Sequence, residues 1–183
     1  MKVTVFGGSA PVPQDELYQQ AMRLGQLLAR SGHVLLTGGY SGTMEAASRG
    51  AAEAGGYTIG VTCEEIEHFR PLPVNSWVKE EWKRTTLTER LESLLDCADA
   101  YIALPGGPGT LTEISLAWNR LLIGALPLRP LILVGSGWKA VFERLFAEQD
   151  ALIAPRHRGL LTFVDSVDQA AGLLAPNFTW KTA

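Results

Sequence analysis

Ala100-Tyr101-Ile102-Ala103-Leu104-Pro105-Gly106-Gly107-Pro108-Gly109-Thr110-Leu111-Thr112-Glu113 passes from an apolar run of strand type, through a glycine-rich turn, into a helix start. Three glycines in four positions let the backbone approach a ligand closely. The first-turn amides of the following helix have no intrahelical acceptors, and with the helix dipole they attract an anion. The turn therefore reads as a phosphate cradle made of backbone, with Glu113 the ionisable group that it adds.

Outward from this turn, short β-branched runs alternate with segments of helical period, the pattern of an α/β chain whose parallel sheet is covered on both faces. Strands are expected at Val3 to Phe6, Val34 to Thr37, Thr58 to Val61, Tyr101 to Leu104 and Leu131 to Val134, with further candidates at Trp77 to Lys79 and Leu161 to Val164. Leu17, Ala21, Leu24 and Leu28 share the face of a first helix, with Asp15 placed to cap it and Gly32 just past its end. A second helix runs from about Thr43 to Ala54 and stops at Gly55-Gly56. A third opens on the capping box Thr86-Leu87-Thr88-Glu89 and carries the stripe Leu87, Leu91, Leu94, Leu95 and Ala98. Trp138 to Glu148 and Val167 to Leu174 complete the helices, and Thr62 to Val74 reads as a long, mixed-charge, irregular connection. The length of 183 residues fits one domain, taken as 1–176, with a short polar tail at 177–183.

A formal net charge of -3 argues against a sequence-independent nucleic-acid binder, so phosphate recognition must be local. Cys63 and Cys97 lack a Cys-x-x-Cys spacing and read as reduced, core-packed thiols of a cytoplasmic protein. No signal-peptide pattern opens the chain, and no run approaches the roughly 18 apolar residues of a membrane span. His33, His68 and His157 are scattered, with no spacing that would put two ligands on one helix face, so no metal site is expected, and no cofactor is expected either.

Three glycine turns follow strands: Gly7-Gly8-Ser9, Gly38-Gly39-Tyr40-Ser41-Gly42 and Gly106 to Gly109. In a parallel sheet all three lie on the rim where ligands bind, and together they favour a nucleotide-sized pocket. The first turn lacks Gly-x-Gly-x-x-Gly, no acid ends the second strand, and no Gly-Lys-Ser/Thr triplet occurs, which disfavours a dinucleotide or Walker site. Glu113 has two readings. Thr110-x-x-Glu113 fits a capping box, in which the carboxylate only reaches back to an amide. Alternatively, an acid beside a phosphate cradle is repelled by the phosphate and is better aimed at a sugar or an attacking water. Arg90, at the edge of the third helix's stripe, is either a surface arginine paired with Glu89 or Glu92, or a phosphate ligand at the rim.

Pro105-Gly106-Gly107-Pro108-Gly109-Thr110-Leu111-Thr112-Glu113 resembles the Pro-Gly-Gly-x-Gly-Thr-x-x-Glu signature of the LOG (Lonely Guy) family of cytokinin riboside 5'-monophosphate phosphoribohydrolases. Gly8-Ser9, Tyr18, Ala21 to Gly25, Gly38-Gly39, Gly42, Met44, Gly55-Gly56 and Gly60-Val61 also stand where that family's pattern places them. The resemblance covers about the first 135 residues. It implies a Rossmann-like fold, a homodimer, and cleavage of a nucleoside 5'-monophosphate to free base and ribose 5-phosphate. By the same resemblance Arg90 and Glu113 match the catalytic pair. Gly106, Gly107, Gly109 and Thr110 hold the phosphate, with Gly8, Ser9, Gly38, Gly39, Gly42, Met44 and Pro105 as further binding candidates. The chain departs from the family's usual residues at Leu91, Thr112 and Leu116. A related branch with the same glycine motif resembles non-enzymatic carriers of molybdenum cofactor, so the alternative expectation is a protein that binds a phosphorylated small molecule without turnover.

Overall fold

Alternation of apolar side chains along the central strands divides the interior into two layers, one on each face of a single sheet. The computed structural model describes residues 1–175. The expected tail at 177–183 and the domain end at 176 lie outside the described residues. The elements run β1 (Lys2–Phe6), α1 (Glu16–Arg30), β2 (Val34–Thr37), α2 (Thr43–Glu53), β3 (Thr58–Cys63), α3 (Glu64–Phe69), β4 (Glu80–Arg84), α4 (Leu87–Asp96), β5 (Ala100–Ala103), α5 (Pro108–Leu122), β6 (Leu131–Val134), α6 (Ser136–Glu148), α7 (Pro155–Arg158), β7 (Thr162–Val164) and α8 (Val167–Gly172).

The seven strands are parallel, in the order β4-β3-β2-β1-β5-β6-β7. Val3, Val5, Ile102, Leu104, Ile132 and Val134 pack against α1, α2 and α8. Their alternates Phe6, Tyr101, Ala103, Leu131 and Leu133 pack against α4, α5 and α6. Both faces are thus covered, as a Rossmann-like α/β sheet requires. The chain steps outward from β1 to β4, then returns so that β5 pairs with β1. The loops leaving β1 and β5 therefore part at the point where strand order reverses, and a crevice opens there.

α1 and α2 approach closely because glycines face each other's backbone. A Cβ on Gly25 would strike the Ala47 carbonyl, and one on Gly50 would strike the Met22 carbonyl. Thr86 and Glu89 form the expected capping box at the start of α4, with reciprocal bonds of 3.2 and 3.3 Å. Gly32 takes φ +74° just beyond α1, the left-handed turn that its position suggests. No helix among the described residues is long and apolar enough to cross a membrane.

Several expectations need correction. The strand expected at Trp77 to Lys79 is instead β4, at Glu80–Arg84. Asn75 holds the preceding residues in a turn, accepting from the Trp77 amide at 3.1 Å, and Thr58 Oγ1 donates to the Trp77 carbonyl at 2.7 Å. β4 is a sheet edge, where charged residues protect unpaired backbone, so its Glu-Glu-Trp-Lys-Arg sequence carries no apolar alternation. The stretch from Thr62 to Val74 is not wholly irregular, because it contains the end of β3 and all of α3. Asp15 occupies the cap position of α1, but its carboxylate accepts from the Val12 amide at 2.9 Å and caps nothing. Leu87 is exposed at the first position of α4, outside the stripe. Cys63 is buried as expected, whereas Cys97 is exposed at the end of α4.

Gly25→Ala and Gly50→Ala should each force α1 and α2 apart. Overpacking of this kind costs about 1–3 kcal/mol, so a lower urea midpoint than that of the unaltered protein is expected. An unchanged midpoint for both variants would show that the helices do not depend on this backbone contact.

Candidate active site

The three glycine turns meet at the crevice and are tied to one another. Gly8 N–H donates to the Pro105 carbonyl at 3.2 Å, which joins the loop after β1 to the loop after β5. Thr43 donates to the Gly8 carbonyl through both its amide and its hydroxyl, at 2.9 Å each. Ser41 Oγ donates to the Ser9 carbonyl at 3.1 Å. Gly42, at φ +73°, packs so closely on the Ser9 backbone that a Cβ could not fit.

α5 begins at Pro108, with Gly107 as its cap residue. Pro108 has no N–H, and the Leu111 amide already bonds the Gly107 carbonyl at 3.0 Å, so the Gly109 and Thr110 amides are the free donors of the first turn. This helix start resolves the double reading of Thr110-x-x-Glu113. Thr110 lies inside the helix rather than at its cap, so the capping box does not form, and Glu113 accepts no hydrogen bond from the described residues. Instead its carboxylate lies 3.7 Å from Arg90 Nη1. Glu113 is 9 % exposed, and burial pushes its carboxyl up to about 7 while Arg90 pulls the other way.

Arg90 is likewise buried, at 5 % exposure, rather than a surface arginine paired with Glu89 or Glu92. Its Nε donates to the Val61 carbonyl at 2.7 Å and its Nη2 to the Gly38 carbonyl at 3.3 Å. Its guanidinium stands 5.7 Å from the centre of the Tyr40 ring. A Cβ on Gly38 would collide with Nη2, so that glycine makes room for the arginine. The Tyr40 hydroxyl is committed to backbone, accepting from the Cys63 amide at 2.9 Å and donating to the Cys63 carbonyl at 3.1 Å.

These groups line one cleft of about 270 Å³. That is at the small end of the usual range for ligand sites and suits a monophosphate better than a dinucleotide. Of the residues expected from sequence, Gly8, Ser9, Met44, Arg90, Gly107, Gly109, Thr110 and Glu113 line it. Gly38, Gly39, Gly42, Pro105 and Gly106 are not in the lining, and four of them serve as supports beneath it. Gly38 accommodates Arg90, Gly42 packs on Ser9, Pro105 accepts from Gly8, and Gly106 lies against Thr110. Gly39, at φ +79°, accepts from the Asn75 amide at 2.8 Å. Gly107 and Gly109 have neither positive φ nor any atom near a Cβ position, so no constraint of the fold itself asks for glycine there. Open space above a helix N-terminus is where an anion would rest.

Ile66, Arg70 and Leu72 complete the opposite wall. Sequence reasoning left them in the Thr62 to Val74 connection without marking them as site residues, because α3, which holds Ile66, has six residues of mixed charge and no apolar period, and Arg70 and Leu72 follow its end. The departures Leu91, Thr112 and Leu116 are absent from the lining. Leu91 is core-facing, and Thr112 Oγ1 bonds the Pro108 carbonyl at 2.9 Å on the outer side of α5. Among the described residues no group of three His, Cys, Asp or Glu could hold a metal ion.

The sequence profile of the SLOG cluster4 family matches residues 1–134. The chain is 31% identical over 181 residues to the cytokinin riboside 5'-monophosphate phosphoribohydrolase of Mycobacterium tuberculosis, an alignment taking in 96% of this chain and 94% of that one. It is 35% identical over 123 residues to the protein of the same name from Mycobacterium marinum, covering 67% of this chain and 64% of the other. Among solved structures it is similar to the molybdenum cofactor binding protein of Rippkaea orientalis, with a TM-score of 0.73, 28% identity and 94% of both chains covered. The molybdenum cofactor carrier protein of Chlamydomonas reinhardtii gives a TM-score of 0.71 with the same identity and coverage.

The carboxyl of Glu113 titrates near 7 in the folded chain against an ordinary 4.5. Between these values the folded state holds a proton that the unfolded state has lost, so stability should fall as pH rises through this window, by roughly 3 kcal/mol at most. In Glu113→Gln that decline should vanish. Denaturant titrations of both proteins at pH 4.5, 6 and 8 check this, and parallel pH profiles would show that Glu113 is not perturbed.

Proposed function

Because the chain belongs to the SLOG cluster4 family, we propose that it is a nucleoside 5'-monophosphate phosphoribohydrolase that releases a free base and ribose 5-phosphate. The observation that carries this reading is a buried carboxyl with no hydrogen-bond donor among the described residues and a pKa near neutrality, one helical turn from a helix start whose Gly109 and Thr110 amides are free. A cap or a structural ion pair needs no such perturbation, whereas a general base works best when it titrates near the operating pH.

In this reading the ligand's phosphate rests on the Gly109 and Thr110 amides, beneath the open space at Gly107 and Gly109. The sugar lies over Glu113. The ionised carboxylate takes a proton from a water whose oxygen bonds to C1′ of the ribose, while the bond from C1′ to the base nitrogen breaks. The electron pair of that bond leaves with the base, which takes a proton from solvent and departs neutral, and Glu113 then returns to solvent the proton it gained. Positive charge developing on the sugar is stabilised by the same carboxylate. Arg90 holds Glu113 in place and keeps part of its population ionised, and its fixed hydrogen bonds to Val61 and Gly38 prevent it from following the ligand.

The protein acts in the cytoplasm as a homodimer in this reading. Leu111 and Leu122 on α5, together with Ile123, expose apolar surface that a second copy would cover. The carrier reading draws on the molybdenum cofactor proteins of the same fold, and it needs only the glycine cradle. It gives no role to the perturbed carboxyl.

Incubation with a panel of nucleoside 5'-monophosphates should release free base, detectable by chromatography. Glu113→Gln should lower the rate by at least about 100-fold while nucleotide binding persists or tightens, since a negative charge leaves the cradle. Binding without base release from any member of the panel would favour the carrier. Gly109→Ala should leave the denaturation midpoint nearly unchanged and abolish nucleotide binding. If binding survives that substitution, the phosphate lies elsewhere.

A further inference from the structure

β2 and β3 pair at a constant offset of 23 residues, Leu35 with Thr58, Leu36 with Ile59 and Thr37 with Gly60. There the ladder stops, although β3 runs on beside β4 as far as Cys63. Gly38 and Val61 stand next at the same offset, and Arg90 bridges them, with Nη2 on the Gly38 carbonyl at 3.3 Å and Nε on the Val61 carbonyl at 2.7 Å. Further out, Tyr40 and Cys63 keep the offset through a side chain. The Tyr40 hydroxyl accepts from the Cys63 amide at 2.9 Å and donates to the Cys63 carbonyl at 3.1 Å, with Glu67 Oε1 farther off at 3.4 Å. The sheet is thus split at its rim, filled by a guanidinium and closed beyond it by a phenol.

Among the described residues no backbone hydrogen bond joins residues 38–40 to residues 61–63. Asn75 Nδ2 holds the turn from its other side, donating to the Gly39 and Tyr40 carbonyls at 3.0 Å each. The hydrogen bonds that connect this turn to β3 are those of Arg90 and of the Tyr40 hydroxyl. The tyrosine ring, 5.7 Å from the guanidinium, is a further side of the same seat.

We propose that Tyr40 is a positioning residue for the hydrolysis: by closing the split between β2 and β3 it holds the two carbonyls that seat Arg90, and through Arg90 it sets how firmly the Glu113 carboxylate is held. The catalytic half of this rests on the hydrolase reading of the cleft, whereas the seating of Arg90 does not. The other ionisable side chains that line the cleft with Glu113 are Arg90 from α4, Tyr40 from the turn after β2 and Arg70 from the segment after α3. Burial raises the Tyr40 phenol, which stays neutral, and Arg90 is the group that pulls the Glu113 carboxyl down against burial. A looser seat weakens that pull, so the carboxyl rises and less of it is ionised at neutral pH.

Tyr40→Phe keeps the ring and removes the tie, and Tyr40→Leu removes both. Base release is followed against pH for the unaltered protein and both variants, with Gly25→Ala as a control that loosens the fold at the α1 and α2 contact. The ionised carboxylate is the active form, so kcat/KM climbs with pH through its pKa. In Tyr40→Phe that limb should move up by about one pH unit. For a group titrating at about 7 the ionised fraction at pH 7 then falls from about a half to about a tenth, a loss of roughly fivefold that is regained by about pH 9. Tyr40→Leu should move the limb at least as far, and Gly25→Ala should leave it in place. A limb that Tyr40→Phe does not move, or that Gly25→Ala moves equally, overturns the proposal and leaves Tyr40 a core residue.

A second readout needs no turnover. The Arg90 Nε–H, identified in proton–nitrogen spectra by its loss in Arg90→Lys, should exchange with solvent slowly and together with the Cys63 amide. In Tyr40→Phe it should exchange about 10-fold faster, as the loss of one buried hydrogen bond implies. An unchanged rate in that variant, or an Nε–H that exchanges freely in the unaltered protein while the Cys63 amide is protected, overturns the seating. If the exchange results hold but no nucleotide yields base, the hydrolase reading fails and the seating of Arg90 by Tyr40 stands. If base is released and neither the limb nor the exchange responds to Tyr40→Phe, the reverse holds.

Discussion

A guanidinium buried at the carboxyl rim of the sheet fixes the geometry of everything around the cleft. Arg90 extends from α4 to reach the Val61 carbonyl at the end of β3 and the Gly38 carbonyl just past β2. Its third contact, Glu113, comes from α5 across the strand reversal. One side chain thus links both halves of the sheet. A buried cation of this kind is tolerable only when its donors are met, and two backbone carbonyls, an aromatic face and a carboxylate meet them. The absence of a side chain at Gly38 is part of the same constraint, because any Cβ there would occupy the space of Nη2.

Glu113 answers that cation incompletely. At 3.7 Å from Nη1 the pair lacks a short hydrogen bond, so Coulomb attraction lowers the carboxyl's pKa less than burial raises it. The outcome is a group that exchanges a proton near neutral pH rather than a permanent anion. Its distance from the cradle matters too. From Thr110 to Glu113 the helix rises about 4.5 Å, which separates the acid from a phosphate on the first-turn amides while leaving it beside whatever is attached to that phosphate. A carboxylate any nearer would oppose anion binding.

The central strands and the main helices were legible because burial on both faces leaves near-continuous apolar runs, and amphipathic helices keep a period. Residues 100–113 declared a strand, a glycine turn and a helix start for the same reason, since all three are local signals. What escaped was set by distant partners. Arg90 stands beside Leu91 and Leu94 with nothing to mark it as buried, because its acceptors lie 29 and 52 residues away. The capping box at Thr110 was plausible until Pro108 placed the helix start earlier. β4 is a charged edge, and α3 is too short and too polar to show a period, so the wall carrying Arg70 showed only as a long, mixed-charge connection with no residue marked as part of a site.

That division follows from what each end of the cleft has to do. Backbone amides and glycines bind a phosphate whatever is attached to it, so this end can be shared by proteins that cleave a ligand and proteins that only hold one. The acid and its arginine distinguish those tasks, because a site that only holds its ligand gains nothing from destabilising its own carboxyl. Neither feature reads the base. The α3 end is structurally independent of both, since no hydrogen bond of Arg90, Glu113 or the glycine turns runs through residues 66, 70 or 72. In the hydrolase reading, the acid and the phosphate cradle therefore share α5, apart from the residues of α3 and the segment after it.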